Sequence, residues 1–597
     1  MVYETSYECG RHPFKPDLLR GKWEQPHDFV FACLGLGLKL DVFSASYWYF
    51  YDMGLSGILP YYVYMAIYLV PLMVIHTFMG QFSSSGFISA FRISPFFKGM
   101  GYVSLALSSS VLTYYSLFAS IPFLFAINSL KPTLPWSCEG IKDWPNLPND
   151  TETICNISTS QVNESDYDNE LFDMKMIHVP AMLFFKQQFE KLDMYIDNDV
   201  EYNMSFPIVW VTMLVWGLVS FIFYQFNEAP KFGKCLRYMV SITLGLLLVC
   251  FLRFLFLPGA LSGIEHYVRP DFHDFIQGAA SIPVFALQAF GAGWGSIMSL
   301  SSFNKFKTNI MSHSWFIAFG QLFIFMLFGL VSFMLLHYFK EITPENINRY
   351  MQSHWVLFIP SASVLASLEW ANMWTFMYYT MLLMASVIVI VTQIFTILNS
   401  LFDEFEQLRQ YKQEVTYGFI ISLALCSLYF CSNHGVLYFT ALSMDSLLVQ
   451  ALLHLLLLLV VLWIYGRERF QRDIKFMIGE TFASWKINVL RFVAPLFLLF
   501  TLLTCVIVAF MEHSFSSSSI GFISIVLVIT PLLYIPSYGV YIMFRNTGSF
   551  CMRFKRACRA TDWYPLEMED RQRYEEALGT NDLTHQLYEV TDDMVYV

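Results

Sequence analysis

An ammonium and a carboxylate, those of Lys39 and Asp41, occur two residues apart within an apolar stretch long enough to cross a lipid bilayer. A charged side chain at the centre of a membrane helix costs roughly 2.5 to 3.5 kcal/mol on insertion scales. Gly35 and Gly37 come just before the charges and predict an interrupted helix, which is tolerated only where the backbone lines a cavity or is buried in protein. The segment therefore predicts a binding site inside a membrane protein.

The composition predicts the elements that position this segment. The 597 residues are 56% hydrophobic and 14% charged, with a mean hydropathy of +0.49, which excludes an ordinary soluble domain. Apolar runs of about 20 residues predict an all-α membrane protein with twelve transmembrane helices in the lipid bilayer. These predicted spans cover residues 28–51, 57–80, 102–128, 206–226, 235–257, 274–302, 312–338, 371–402, 414–432, 445–466, 488–511 and 521–544.

Basic residues and sequons predict the orientation. The connections after spans 2, 4, 6 and 10 carry lysines and arginines and lie on the same side as both termini, which indicates the cytoplasm. We therefore predict a cytoplasmic N-terminus at 1–27, a twelve-span domain at 28–544 and a cytoplasmic C-terminal tail at 545–597. The net charge of −11 comes mostly from acidic loops and tail and indicates no nucleic-acid partner.

The long acidic connection at 129–205 is predicted to be extracellular and glycosylated, which places the protein in the plasma membrane. Its four Asn-x-Ser/Thr sequons are Asn149, Asn156, Asn163 and Asn203. It also contains two cysteines, Cys138 and Cys155, and an oxidising exterior favours a disulfide between them.

A second cluster of helix breakers, Gly291, Gly293 and Gly295, lies in the sixth span. Each glycine costs a helix interior about 1 kcal/mol relative to alanine. Spans 1 and 6 are corresponding members of two five-span halves, and paired interruptions are typical of inverted-repeat transporters with a solute site between the broken helices. The alternative is that these glycines allow close helix packing.

Short strings occur in a fixed order on predicted loops and span ends along nearly the whole chain. They are Gly80-Gln81-Phe82, Pro95 with Phe97-Lys98-Gly99, Leu134-Pro135-Trp136, Leu257-Pro258-Gly259-Ala260, Ser302-Phe303-Asn304-Lys305-Phe306 and Trp463-Ile464-Tyr465-Gly466. Together they resemble the neurotransmitter:sodium symporters, solute carrier family 6. The resemblance implies a twelve-helix bundle with spans 1–5 and 6–10 as inverted repeats, broken helices 1 and 6, and solute movement by alternating access.

The resemblance also implies site residues. Tyr115 falls on the family tyrosine that contacts the substrate, and Arg20, Trp23 and Asp403 fall on the inner gate. Asp41 falls on a sodium-ligating position in one of two possible registers, which makes it a candidate metal ligand. The implied substrate-binding set is Lys39, Asp41, Tyr115, Gln288, Phe290, Gly291 and Gly293.

The chain departs from the family where ions bind. A carboxylate and hydroxyl pair that holds sodium in relatives falls on Ile388 and Val389, and a cation stripped of water without replacement ligands is strongly disfavoured. Of the usual chloride-facing groups, Tyr61 and Gln321 remain. Sodium and chloride are therefore cofactors by resemblance alone, and we expect coupling to both to be altered or lost.

Three roles stay open for the ionisable residues. In the first role, Lys39 replaces a bound sodium by holding a substrate carboxylate or Asp41. In the second, Lys39 and Asp41 form an ion pair that only fixes the broken helix. Residues two apart do not face each other on a regular helix, so pairing requires the break. His76 replaces a family glutamate and adds proton coupling as a third option, against a structural role.

The expected function is transport of amino acids or related small zwitterionic or anionic solutes across the plasma membrane. The alternative is a transport-silent glycoprotein of the same fold, acting as a receptor or accessory subunit. An enzyme is not expected, since no nucleophile and base constellation occurs in a water-accessible loop.

Overall fold

The computed structural model describes residues 13–43, 53–143, 180–188, 203–269, 282, 286–287, 289–291, 293–342, 357–511 and 525–578. Among these residues the backbone is helical or irregular, with an isolated β-bridge between Met204 and Ser432. The helices are α1 Pro26–Leu36, α2 Ile58–Tyr64, α3 Val70–Ser83, α4 Gly99–Asn128, α5 Pro180–Gln188, α6 Phe206–Gln225, α7 Ala229–Phe254, α8 Ala260–Val268, α9 Ser296–Ser301, α10 Ile310–Ile342, α11 Ile359–Ala366, α12 Ala371–Glu404, α13 Lys412–Ser427, α14 Asn433–Leu459, α15 Arg467–Ile478, α16 Ser484–Asn488, α17 Ala494–Met511, α18 Tyr534–Arg545, α19 Phe550–Ala557 and α20 Met568–Leu578.

Eight helical segments of the described chain are long and apolar enough to cross a membrane. They are Ile58–Ser83, Pro95–Asn128, Phe206–Gln225, Ala229–Phe254, Ile310–Phe339, Ala371–Glu404, Glu406–Cys431 and Ser446–Ile478. Each overlaps one of the predicted spans. The predicted spans at 28–51, 274–302, 488–511 and 521–544 are not among them, so the count of twelve stays a prediction.

The centre of the bundle is formed by α4 and α12, which pack along each other. Most of both helices is buried inside the protein, as expected for helices that are apolar all round. The short helix α1 packs against α7, α9, α10 and α12 and is thereby held in the middle of the bundle. By contrast, α6 and α7 expose large apolar side chains, including Trp210, Phe221 and Tyr238, on surfaces suited to lipid.

The segment after the tenth predicted span is helical. A π-helical turn, Val460–Gly466, leads into α15, where the sequence suggested a basic connecting loop. The reason is visible in its burial, because Phe470, Asp473, Ile474 and Met477 share one buried face while the arginines and lysine of the segment stay outside.

Part of the predicted cytoplasmic tail docks on the bundle. Trp563 is buried, with its ring centroid 5.2 Å from that of Phe82. The backbone N–H of Thr561 donates to the carbonyl of Arg92 at 2.9 Å. In α20, the hydroxyl of Tyr574 donates to Oδ1 of Asp473 at 2.9 Å. These contacts tie the C-terminal tail to α3 and α15.

Candidate solute site and inner gate

Helix α1 ends at the first glycine pair. Its start is fixed by Pro26 in the first turn and by a capping box between Gln25 and Asp28. At its end the N–H of Gly37 donates to the carbonyl of Leu34 at 3.0 Å, in a tightened last turn. The chain then makes one more turn from Lys39 to Phe43. The interruption therefore falls immediately before Lys39.

Lys39 and Asp41 form an ion pair across this turn. Nζ of Lys39 lies 2.6 Å from Oδ2 of Asp41, and the side chains are 1% and 2% exposed. The pair forms because the backbone is not a continuous helix here, since residues two apart point away from each other on a regular helix. Each charge thus offsets the cost of burying the other.

Tyr115 joins this pair from α4. Its hydroxyl accepts a hydrogen bond from the backbone N–H of Leu40 at 3.1 Å. It is also close enough to Asp41 for the two side chains to interact electrostatically. The structure therefore brings Lys39, Asp41 and Tyr115 together at one point, where a central helix meets the interrupted one.

The interruption of the sixth predicted span lies against the end of α1. Gly291, Gly293 and Gly295 have φ angles of +99°, +126° and +84°, in the region that favours glycine. A Cβ atom on Gly291 would lie 3.0 Å from Cδ2 of Leu36. Phe290 is buried beside these glycines, while Gln288 lies outside the described residues.

Gln321 on α10 ties the two interruptions together. Its Nε2 group donates to the carbonyl of Cys33 at 3.2 Å and to that of Ala289 at 2.9 Å. These carbonyls belong to the ends of two broken helices, where backbone groups lack their usual partners. Both amide hydrogens are thereby used. Sequence reasoning listed Gln321 as a chloride-facing group and missed this role, which depends on contacts between distant segments.

Apolar side chains occupy the positions on α12 where the family resemblance implies a sodium-ligating pair. Ile388 is fully buried on α12, and a Cβ atom on Gly35 would lie only 2.7 Å from its Cγ2. Val389 is fully buried as well. Neither side chain offers an oxygen ligand, so this contact between α1 and α12 is suited to apolar packing and not to a cation.

The predicted inner-gate residues meet at the other end of α1. An oxygen of Asp403 lies 2.9 Å from Nη1 of Arg20, with both side chains buried. The guanidinium also lies over the ring of Phe303, and Nε1 of Trp23 donates to the carbonyl of Leu300 at 3.0 Å. These contacts fasten the segment before α1 to the C-terminal ends of α9 and α12 and to Phe303 just after α9.

Sequence reasoning missed His454 on α14, which packs against His76. The signal was available, because an ionisable side chain in a leucine-rich span is unusual. The centroids of the two imidazoles are 5.3 Å apart. This contact brings α3 and α14 together beside the interruption of the sixth span.

The predicted modifications fall mainly on residues that are not described. Asn203 and Cys138 lie in the described chain, whereas Asn149, Asn156, Asn163 and Cys155 lie outside it. Glycosylation and the disulfide therefore stay predictions.

Two interrupted helices, packed at the centre of an apolar bundle with charged and amide groups at their breaks, define a helical membrane transporter. Comparison with known proteins agrees. The family model of the sodium:neurotransmitter symporter family matches residues 20–546, and the chain belongs to this family. Its members are transporters and not enzymes.

Named relatives are similar over nearly their full lengths. The chain is 25% identical to the sodium- and chloride-dependent neutral and basic amino acid transporter B(0+) of Homo sapiens, covering 93% of this chain and 91% of that protein. It is 24% identical to the sodium- and chloride-dependent glycine transporter 1 of Xenopus laevis, covering 94% and 91%.

Proposed function

We propose that the protein moves amino acids or related small zwitterionic or anionic solutes across the plasma membrane by alternating access, with altered coupling to sodium and chloride. The observation that carries the proposal is the buried Lys39–Asp41 ion pair at the break after α1. Both relatives named above transport amino acids by their names. The pair offers one ammonium and one carboxylate, which suits a zwitterionic solute whose own carboxylate and ammonium can face Lys39 and Asp41.

The ammonium of Lys39 takes the place of a bound sodium ion. It neutralises Asp41 from within the chain and, unlike sodium, does not dissociate during a transport cycle. The contact between Gly35 and Ile388 supports the same conclusion from α12, because it fills with methyl groups a region where a second sodium would need oxygen ligands.

Altered chloride coupling is supported by Gln321. A chloride ion would need hydrogen-bond donors, and the amide has two. Both are directed at the carbonyls of Cys33 and Ala289. Binding chloride there would leave these two buried carbonyls without their partner, at a cost of about 1 to 3 kcal/mol each.

Alternating access requires contacts that open and close. The Arg20–Asp403 ion pair and the Trp23 hydrogen bond lie at the end of α1 that the basic connections predict to face the cytoplasm. We assign them the role of closing that end. On the other side of the break, Tyr115 holds the backbone at Leu40. Opening towards the cytoplasm must break the first set of contacts, and the second set can then stay closed.

Uptake of labelled amino acids into proteoliposomes tests the proposal, with sodium, chloride and pH varied singly. We expect uptake that persists when sodium and chloride are replaced. Steep sodium dependence would contradict the assigned role of Lys39. If no solute moves although the protein is folded and correctly inserted, the transport proposal fails and a receptor or accessory role gains support.

The role of Lys39 in solute binding has a separate test. Lys39→Met should weaken binding of a carboxylate solute by at least about 1.5 kcal/mol, the value of a charge-assisted hydrogen bond. Lys142→Met, at an exposed lysine, is the matched control. Unchanged affinity in Lys39→Met would leave the pair with the structural role alone.

A further inference from the structure

Two imidazoles from different helices pack together inside the bundle. His76 of α3 and His454 of α14 are 1% and 0% exposed, and their rings meet edge to face. The ring of Phe290 lies 5.1 Å from that of His76 and 4.6 Å from that of His454. Trp294, between Gly293 and Gly295, also contacts both imidazoles, with ring centroids 5.2 Å from His76 and 5.9 Å from His454.

Several polar atoms of this cluster have no hydrogen-bond partner among the described protein groups. This holds for both ring nitrogens of His76 and for the side-chain amide of Gln450. The ring of His454 lies within reach of the backbone of Gln450, one turn before it. Buried polar groups in proteins are almost always paired. An apolar pair would pack here without that cost, so the unpaired ring nitrogens point to a bound ligand.

We propose that His76 and His454 together bind one proton, and that this proton is the ion coupled to solute movement. The second part rests on the proposed transport function. A proton taken from water adds to the nitrogen lone pair of one neutral imidazole, and the resulting N–H donates to a lone pair of the other. The terminal torsion of histidine is broad, so a ring rotation suffices to align the two nitrogens.

The pair accepts a single proton. Two imidazolium ions in contact in a buried site would repel each other, so the two rings titrate as one coupled unit. A metal ion fits less well, because zinc usually takes four protein ligands in structural sites and three in catalytic ones. No cluster of three or more histidine, cysteine, aspartate or glutamate side chains suited to a metal occurs in the described chain.

The described titratable groups around the pair come from the elements packed against its two helices. The elements packed against α3 and α14 include α4, α9, α10, α17 and the turns that flank them. Their described titratable side chains are Tyr68, Arg92, Tyr102, Tyr114, Tyr115, His313, His337, Tyr338, Tyr429, Cys431, Tyr465 and Arg491.

The position of the pair links the proton to conformation. His76 belongs to α3, which packs on α9 after the sixth-span interruption, whereas His454 belongs to α14, which packs on α4 and α17. A movement that separates α3 from α14 would divide the shared site. The proton therefore stabilises the arrangement in which the two helices are together, and a ligand that binds one state better shifts the population towards it.

Transport measurements with the full-length protein in liposomes test the coupling. In sodium-free buffer, an inward proton gradient should drive solute accumulation, and collapsing the gradient with a protonophore should abolish it. His76→Gln and His454→Gln should each lower the gradient-driven component at least about tenfold, by the loss of the shared site. His337 of α10 contacts Ser262 of α8 instead. His337→Gln should leave the gradient-driven component unchanged.

A titration that needs no solute tests the proton site by itself. Histidines labelled with ¹⁵N are followed in nanodiscs between pH about 5 and 8, the range in which histidine changes charge. The resonances of His76 and His454 are assigned by their loss in the single variants. In the wild type the two should shift together, in one titration step that corresponds to the binding of one proton. Two independent steps, or two imidazoles that stay neutral throughout, would overturn the site.

These outcomes separate the two proposals. Solute uptake that ignores the proton gradient overturns proton coupling and leaves the transport function standing. Absence of uptake under every gradient overturns the transport function, and the titration then decides whether the pair binds a proton. A metal site would show itself in three results together: micromolar zinc or copper abolishes uptake, a chelator restores uptake, and His76→Gln is insensitive to the metal. That outcome would overturn the proton site.

Discussion

The side-chain amide of Gln321 bridges the carbonyls of Cys33 and Ala289, at 3.2 and 2.9 Å, and so joins two interrupted helices through one residue of α10. A carboxylate at this position cannot donate. Gln321→Glu should therefore lower the free energy of unfolding by about 2 to 6 kcal/mol, because two buried carbonyls lose their partner. Thermal unfolding in detergent measures the loss.

Gln407→Glu, at an exposed position in the turn after α12, is the matched control and should change stability little. Equal stability of the two variants would show that the bridge does not hold the interruptions together.

The Lys39–Asp41 pair should behave as a coupled unit. Removing either partner leaves a buried charge uncompensated, so Lys39→Ala and Asp41→Asn should each lower the free energy of unfolding by about 3 to 5 kcal/mol. The double variant removes both charges and should lose much less than the sum of the single losses. Additive losses in chemical or thermal unfolding would contradict the ion pair.

Substitutions of Gly35 and Ile388 should also have coupled effects on stability, in this case through steric contact and not through charge. Gly35→Ala places a methyl group 2.7 Å from Cγ2 of Ile388 and should be strongly destabilising. Ile388→Ala should cost about 2 to 5 kcal/mol by leaving a cavity. In the double variant the new methyl enters that cavity, so the combined loss should be smaller than the sum.

The contact between Tyr574 and Asp473 makes a prediction about the docked tail. Tyr574→Phe should weaken tail docking by about 1 kcal/mol, the net value of a hydrogen bond. Hydrogen exchange of the α20 amides measures the docking. Tyr411→Phe, at an exposed tyrosine, is the control, and equal exchange in the two variants would contradict a role for the hydroxyl.

The same contact has a defined pH dependence. Burial, with the neighbouring Asp473 carboxylate, raises the pKa of Tyr574 above its usual range. The protonated phenol is therefore the form that the docked tail favours. Its contribution should be constant from neutral pH to about 10, the ordinary pKa of tyrosine, and should be lost only as the pH rises through the raised value. Undocking at lower pH would point to another group.

Several features followed from the sequence because they depend on local residue types. The intramembrane charges, the glycine clusters and most apolar spans are of this kind, and the family motifs placed Arg20 and Asp403 near each other. Ile388 lies on α12, within the predicted span at 371–402.

Other features depend on how distant segments pack. The bridge from Gln321 needs both interruptions to lie beside α10, and no local pattern contains that information. The contact of His454 with His76 cannot be predicted until α14 is placed against α3. The sequence predicts only a cytoplasmic tail at 545–597 and not its docking, because the burial of Trp563 and Tyr574 depends on surfaces of α3 and α15 that are distant in sequence.

The effect of sodium on unfolding tests the central claim most directly, which is that the ammonium of Lys39 replaces a bound sodium. A ligand at ten times its dissociation constant stabilises the folded state by about 1.4 kcal/mol. We predict that the wild-type unfolding midpoint is the same in sodium and in N-methylglucamine, and that Lys39→Ala, with Asp41 retained, is stabilised by sodium. Stabilisation of the wild type by sodium, equal to or larger than that of Lys39→Ala, would contradict the account.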